Sequence, residues 1–242
     1  MDTGLAVYAV CLALLAVALF LSLRMAPTRS AAPAQPMSLQ SLFAGLHFVR
    51  GNPILLGAIS LDLMAVLLGG ATALLPIFAK DILHVGSEGL GALRAAPAVG
   101  AVACSMVLAR HTLRRHVGRW MFGAVAVYGL STLAFGLSSL FLVSLAALAV
   151  SGAADMVSVV IRQTLMQLDT PDEIRGRVGA VNSIFIGASN QLGEFESGAV
   201  AAAIGPVGSV VTGAIGTLVV AAVWMGLFPE LARRDGYQQT KG

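Results

Sequence analysis

Charge is what this sequence has least of. Asp, Glu, Lys and Arg make up only 11% of its 242 residues, against roughly 25% in a soluble domain, whose water-facing surface needs them. That shortage excludes an ordinary soluble protein. Cysteine is almost absent too. Cys11 and Cys104 each lie inside an apolar run, which excludes a disulfide framework and reads as two buried free thiols. The four histidines, His47, His84, His111 and His116, fall in loops or interfacial stretches without metal-ligand spacing. No metal and no cofactor is expected. The chain also lacks a phosphate-binding loop of the Walker type, a His-Glu-x-x-His pair, and a Ser-His-Asp set that could share one membrane depth. Neither an ATP-driven pump subunit by itself nor an intramembrane enzyme is therefore expected. The net charge of +3 sits in short clusters between apolar stretches rather than on one continuous face, so nucleic acid is not an expected partner.

What the sequence has in excess is apolar surface: 57% hydrophobic residues and a mean hydropathy of +0.85. The expected partner of that surface is the lipid bilayer. A helix that crosses the hydrocarbon core needs about 20 mainly apolar residues. Seven stretches qualify, at 5–23, 53–79, 89–109, 120–137, 140–165, 178–204 and 207–228. The first lacks a basic stretch before it and is longer than a signal-peptide core, so it reads as a true span. The fold class is all-α, a polytopic transmembrane helix bundle. It divides into a first transmembrane helix (1–23), a cytoplasmic linker with an amphipathic helix (24–52), a six-helix bundle (53–230) and a cytoplasmic tail (231–242). Residues 24–37 are rich in Pro, Ala and Ser and read as flexible. In SLQSLFAGLHFVR (38–50), Leu39, Leu42, Phe43, Leu46 and Val49 share one face. That helix either lies at the membrane surface or packs on protein.

Orientation follows from the loops. With the first loop placed in the cytoplasm, that side holds Arg24, Arg29, Arg50, Arg110, Arg114, Arg115, Arg119, Arg175, Arg177, Arg233, Arg234 and Lys241, and the other side Lys80 alone. This asymmetry is the positive-inside pattern of a cell-membrane protein, here with the N-terminus outside and the C-terminus in the cytoplasm.

Charges inside spans cost about 2.5 to 3.5 kcal/mol each on insertion scales, so they mark function or a structural pairing. Asp62 and Asp155 sit near the centres of their spans, and Glu194 and Glu196 lie in the sixth span. Asp155 and Arg162 are seven apart, on one helical face, and Asn190 adds an amide to the face of Glu194. Glu194 and Glu196 point about 200° apart, so one can face a cavity while the other pairs with Arg94 or Arg162. Arg94 and Arg162 lie near opposite span ends, where snorkelling to headgroups explains them. These seven residues form the candidate substrate and proton pathway. A carboxylic acid removed from water holds its proton to higher pH, which suits proton-linked transport. The structural alternative for each is an interhelical pair that fixes packing.

Several segments carry a family resemblance. They are ISLDLMAVLLGGATALLPIFAKDIL (59–83), GLGALRAAPAVGA (89–101), RRHVGRWMF (114–122), and the block from Gly152 to Gly198 with its TPDEIRGRV turn. Residues 52–234 resemble the C-terminal six-helix half of the major facilitator superfamily, in the branch containing the enterobactin exporter and macrolide-efflux proteins. The first span is similar to the last helix of the N-terminal half. The loop with Arg115, Gly118 and Arg119 resembles the family's loop signature but lacks the acidic residue that normally precedes its Gly-Arg pair. The resemblance implies a secondary transporter that carries out proton-coupled efflux of a small hydrophobic or amphipathic substrate. It also implies a missing N-terminal half or a second chain as partner, because the family's path runs between two halves. Two alternatives stay open: a truncated or split gene product without transport of its own, and a non-transport membrane scaffold.

Overall fold

In the computed structural model, residues 2–24 and 39–237 are described. Residues 25–38, most of the expected flexible linker, and the end of the tail at 238–242 lie outside them, as does the Cys11 side chain. The chain forms two compact units, Met1–Pro36 and Met37–Gly242.

The first unit contains one helix, α1 (Asp2–Arg24). Its 23 residues rise about 1.5 Å each, enough for a bilayer core. Leu12, Leu15, Leu19 and Leu23 are exposed along it, and the Arg24 guanidinium lies over the Phe20 ring, 4.6 Å from its centroid.

Among its described residues the second unit is built of helices joined by short turns. It opens with α2 (Leu39–Gly51), whose Gly45 and Val49 are buried. Gly45 meets the backbone of Arg177 and the side chain of Val181, so α2 packs on protein along this face while Phe43 stays exposed. Asn52 then caps α3 (Pro53–Leu68). Its side-chain oxygen accepts from the amides of Ile54 at 3.1 Å and Leu55 at 3.2 Å, and Pro53 fills the first turn, where no amide hydrogen is needed.

The second span, expected as one helix over 53–79, is broken. After Leu68 come Gly69 and Gly70, a 3-10 turn at Ala71–Leu74, one α turn at Leu75–Ile77 (α4), and a π turn at Phe78–Ile82. Two consecutive glycines weaken the helix, and Pro76 cannot donate a backbone bond to the preceding turn. The remaining helices are α5 (Ser87–Arg110), α6 (Val117–Leu137), α7 (Phe141–Asp169), α8 (Asp172–Leu227) and the short α9 (Pro229–Ala232). α8 is two limbs joined at Gly205, whose φ of 83° and ψ of 162° lie where only glycine is unstrained. The limbs fold back on each other, since Ser209 Oγ donates to the Ser197 carbonyl at 2.8 Å. Against seven expected spans, five described helices are long and apolar enough to cross a membrane. The last of them is this two-limbed α8, and α1 stands in its own unit.

Two apolar clusters hold the second unit. One, toward the arginine-rich end, gathers Leu55, Leu61, Met121, Phe122, Ile161, Leu165 and Leu231. The other, toward the opposite end, gathers Leu74, Leu75, Phe78, Leu93, Phe135 and Leu148, with the Phe78 and Phe135 rings 4.7 Å apart. Helices α5 and α7 approach most closely where Gly100 meets the Ala149 carbonyl and Gly152 meets the Pro97 carbonyl. Small residues permit this approach, and dispersion and close packing replace the hydrophobic drive that lipid does not supply.

Candidate functional site

Between the two apolar clusters lies a polar layer built by α3, α6, α7 and α8. On α7, Asp155, Ser158 and Arg162 stand three and four apart and so share a face. Ser158 and Arg162 both reach Asp62 of α3. Arg162 Nη2 lies 3.1 Å from Asp62 Oδ2, and Ser158 Oγ donates weakly to Asp62 Oδ1 at 3.5 Å. The other prong of the guanidinium, Nη1, donates to Asn182 Oδ1 of α8 at 2.7 Å. Asp62, Arg162 and Asn182 are 5%, 3% and 2% exposed, so three helices meet in one desolvated polar cluster. Removing two charges from water costs several kcal/mol per ion, and good geometry with extra hydrogen bonds is needed to offset it. The offset is incomplete: Arg162 Nε is buried without a partner.

Asp155 lies beyond Ser158 along the same face. With Asp62, Ser158 and Tyr128 it lines a small void of about 10 Å³. On its other side it opens into a half-enclosed cavity of about 200 Å³. Glu194 and Asn190 of α8, Thr132 and Tyr128 of α6, Ser151 of α7 and Thr72 beside the helix break complete the polar part of the wall. Among the described residues no basic side chain lines this cavity. Asp155 makes no hydrogen bond or ion pair among the described residues. Tyr128 donates its hydroxyl to the Gly69 carbonyl at 3.2 Å, a group freed where α3 stops.

The remaining expected residues lie elsewhere. Glu196 is half-buried outside the cavity wall, and Arg94 is exposed on α5. Neither forms an ion pair among the described residues. The expected pairing of a sixth-span glutamate with Arg94 or Arg162 is not found, and Arg162 does not snorkel. It turns into the protein because Asp62 and Asn182 offer acceptors there. In the loop, Gly118 is buried against the Leu231 carbonyl and its amide donates to the Arg234 carbonyl at 3.0 Å. Arg115 and Arg119 stay exposed, with Arg119 beside a recess it shares with His116, Arg233, Arg234 and Asp235. Arg234 in turn reaches Asp169 at 3.1 Å. Among the described residues no group of His, Cys, Asp and Glu converges as metal ligands do.

Tyr128, Ser158, Asn182 and the break at Gly69–Gly70 are additions that charge alone does not flag. The Gly-Gly pair and Pro76 stand at the break, but in an apolar run such glycines equally read as tight helix packing.

A bundle of long apolar helices, with a carboxylate-lined cavity at a helix break, defines the class as an integral membrane protein. The chain belongs to the family described as transmembrane secretion effector, which matches residues 3–239, within the major facilitator superfamily and near its enterobactin exporter branch. It is similar to the enterobactin exporter EntS of Citrobacter koseri, 26% identical over 203 residues that cover 83% of this chain and 49% of that protein. The Shigella flexneri exporter is 25% identical over 203 residues, 83% of this chain and 48% of that protein. An Escherichia coli exporter is 26% identical over 207 residues, with 83% and 49% covered. The chain thus spans about half the length of the curated relatives it matches. No solved structure matches it.

Proposed function

We propose that this chain supplies the C-terminal half of a proton-coupled exporter for small hydrophobic or amphipathic molecules. In this reading it sits in a bacterial plasma membrane with the N-terminus outside and the C-terminus in the cytoplasm. The observation that carries the reading is the cavity beside the broken helix, which places Asp155 and Glu194 in one wall with no basic group among the lining residues. A carboxyl group in such a place binds a proton when the cavity is open to the acidic side and releases it on the other. Asn190, Gln191 and Glu194 are exposed on the first limb of α8. Polar groups of that kind do not face lipid without cost, which supports a second helical bundle or a water-filled path opposite this wall. Relatives twice as long support the same partner, an N-terminal half in the same or another polypeptide.

The reading is tested by efflux from cells that express the chain alone, or together with the N-terminal six spans of an enterobactin exporter. Enterobactin and a lipophilic fluorescent dye serve as substrates. Efflux is expected only from the pair, accelerated by an inward proton gradient, and lost with Asp155→Asn. Proton-driven efflux that survives Asp155→Asn combined with Glu194→Gln would remove this cavity as the coupling site. A chain that co-purifies with a partner bundle but exports nothing in any combination would be a scaffold instead.

A further inference from the structure

The guanidinium of Arg162 is divided between two helices. A carboxylate and an arginine fork match best as a two-pronged pair. Here only Nη2 lies on Asp62, at 3.1 Å, while Nη1 is drawn to Asn182 at 2.7 Å and Nε is left without a partner. Asp62 receives as its second contact only the long 3.5 Å bond from Ser158. Asn182 lies on the first limb of α8, the limb that also places Asn190 and Glu194 in the cavity wall about two and three turns further on. A helix limb moves as a stiff rod, so a shift at the cavity is felt at Asn182.

We propose that Asn182 is a positioning residue that holds Arg162 in a one-pronged, readily opened contact with Asp62 and ties that contact to the position of the cavity wall. Movement of the limb toward or away from a bound molecule withdraws or restores the Asn182 oxygen. Without that oxygen the fork turns and closes on Asp62 with two prongs, locking α3 to α7. The proposal rests on the reading of this polar layer as the moving centre of a transporter, but it concerns the opening of the layer rather than transport.

It is therefore tested without a substrate. In the full chain with Cys11 and Cys104 replaced by alanine, Ala154→Cys places a thiol at a buried position lining the void between Asp62 and Asp155. Its labelling by N-ethylmaleimide in membrane vesicles reports opening. Asn182→Leu and Asn182→Ser remove or shorten the acceptor and are expected to slow labelling on the order of tenfold, the equivalent of one charge-assisted hydrogen bond. Asn182→Asp keeps an oxygen at the same place and makes it a stronger competitor for the guanidinium, so it is expected to label at or above the parental rate. The proposal is overturned if either neutral variant labels at or above the parental rate, or if Asn182→Asp is as slow as Asn182→Leu. Failure of the neutral variants to insert also overturns it, because a tighter ion pair should hold the bundle together. Loss of efflux in the transport assay leaves these labelling rates unaffected, so the two readings fail separately.

Discussion

The Tyr128 hydroxyl donates to the Gly69 carbonyl across 3.2 Å, which joins α6 to the point where α3 ends. Tyr128→Phe removes one neutral interhelical hydrogen bond and nothing else of the ring. A loss of about 1 kcal/mol is expected, in the range measured for such bonds in membrane bundles, read as a lower unfolding midpoint in detergent. The Gly69 carbonyl keeps its bond from the Ala71 amide and borders the cavity, where water can reach it, so the loss should stay near that figure. A drop of several kcal/mol would mean that the hydroxyl also anchors something else.

The buried pair of Asp62 and Arg162 behaves differently when one member is removed. Arg162→Met strands the Asp62 carboxylate in a desolvated layer and should cost about 3 to 5 kcal/mol, whereas Asp62→Asn with Arg162→Met should cost less than the single change. A double-mutant cycle of thermal unfolding measures the coupling. Additive losses would show that the two side chains do not depend on each other.

Gly100 faces the Ala149 carbonyl with no room for a methyl group, and a backbone oxygen cannot rotate away as a side chain does. Gly100→Val should separate α5 from α7 and cost about 3 kcal/mol or more. Gly187, on the exposed side of α8, has nothing near it. Gly187→Ala should leave stability unchanged or raise it by up to about 1 kcal/mol through helix propensity. Comparing the two unfolding midpoints separates close packing from a general intolerance of added carbon.

At the arginine-rich end two ion pairs differ in burial. Arg234 and Asp169 have side chains 11% and 5% exposed, and Arg234 also donates to the carbonyls of Gly236 and Tyr237. His116 and Asp235 are mostly exposed, 3.6 Å apart. Arg234→Gln should therefore free the last described segment and lower stability by about 1 to 3 kcal/mol, while His116→Gln should change it little. Limited proteolysis after residue 228 checks both: faster cleavage is expected in the first variant alone.

The long helices were legible in the sequence because lipid demands continuous apolar runs, and the positions of Asp62, Asp155 and Arg162 were legible because charge is rare there. Their partners were not. Helical spacing puts Arg162 on the face of Asp155, yet the acceptors that hold it, Asp62 and Asn182, come from other helices, and spacing within one helix carries no information about those. Asn182 and Tyr128 carry no charge, so nothing sets them apart from the serines and threonines that bond their own helix backbone, as Thr164 and Thr217 do. The break after Leu68 was hidden for a related reason. Gly-Gly inside an apolar run reads as tight packing, and only the neighbouring helices decide whether the backbone opens there.

That dependence bears on how the chain is made. Gly70 seats against the Gly193 carbonyl and Ser197, and the Leu68 carbonyl abuts Gly213. The surfaces that shape the break belong to the two limbs of α8, which leave the ribosome long after α3 has entered the membrane. Until they arrive, residues 66–75 have only their contacts to earlier helices, such as Tyr128 on Gly69, so this part of the span matures last. Stopping synthesis before Gly193 would release a bundle whose cavity wall has not yet formed.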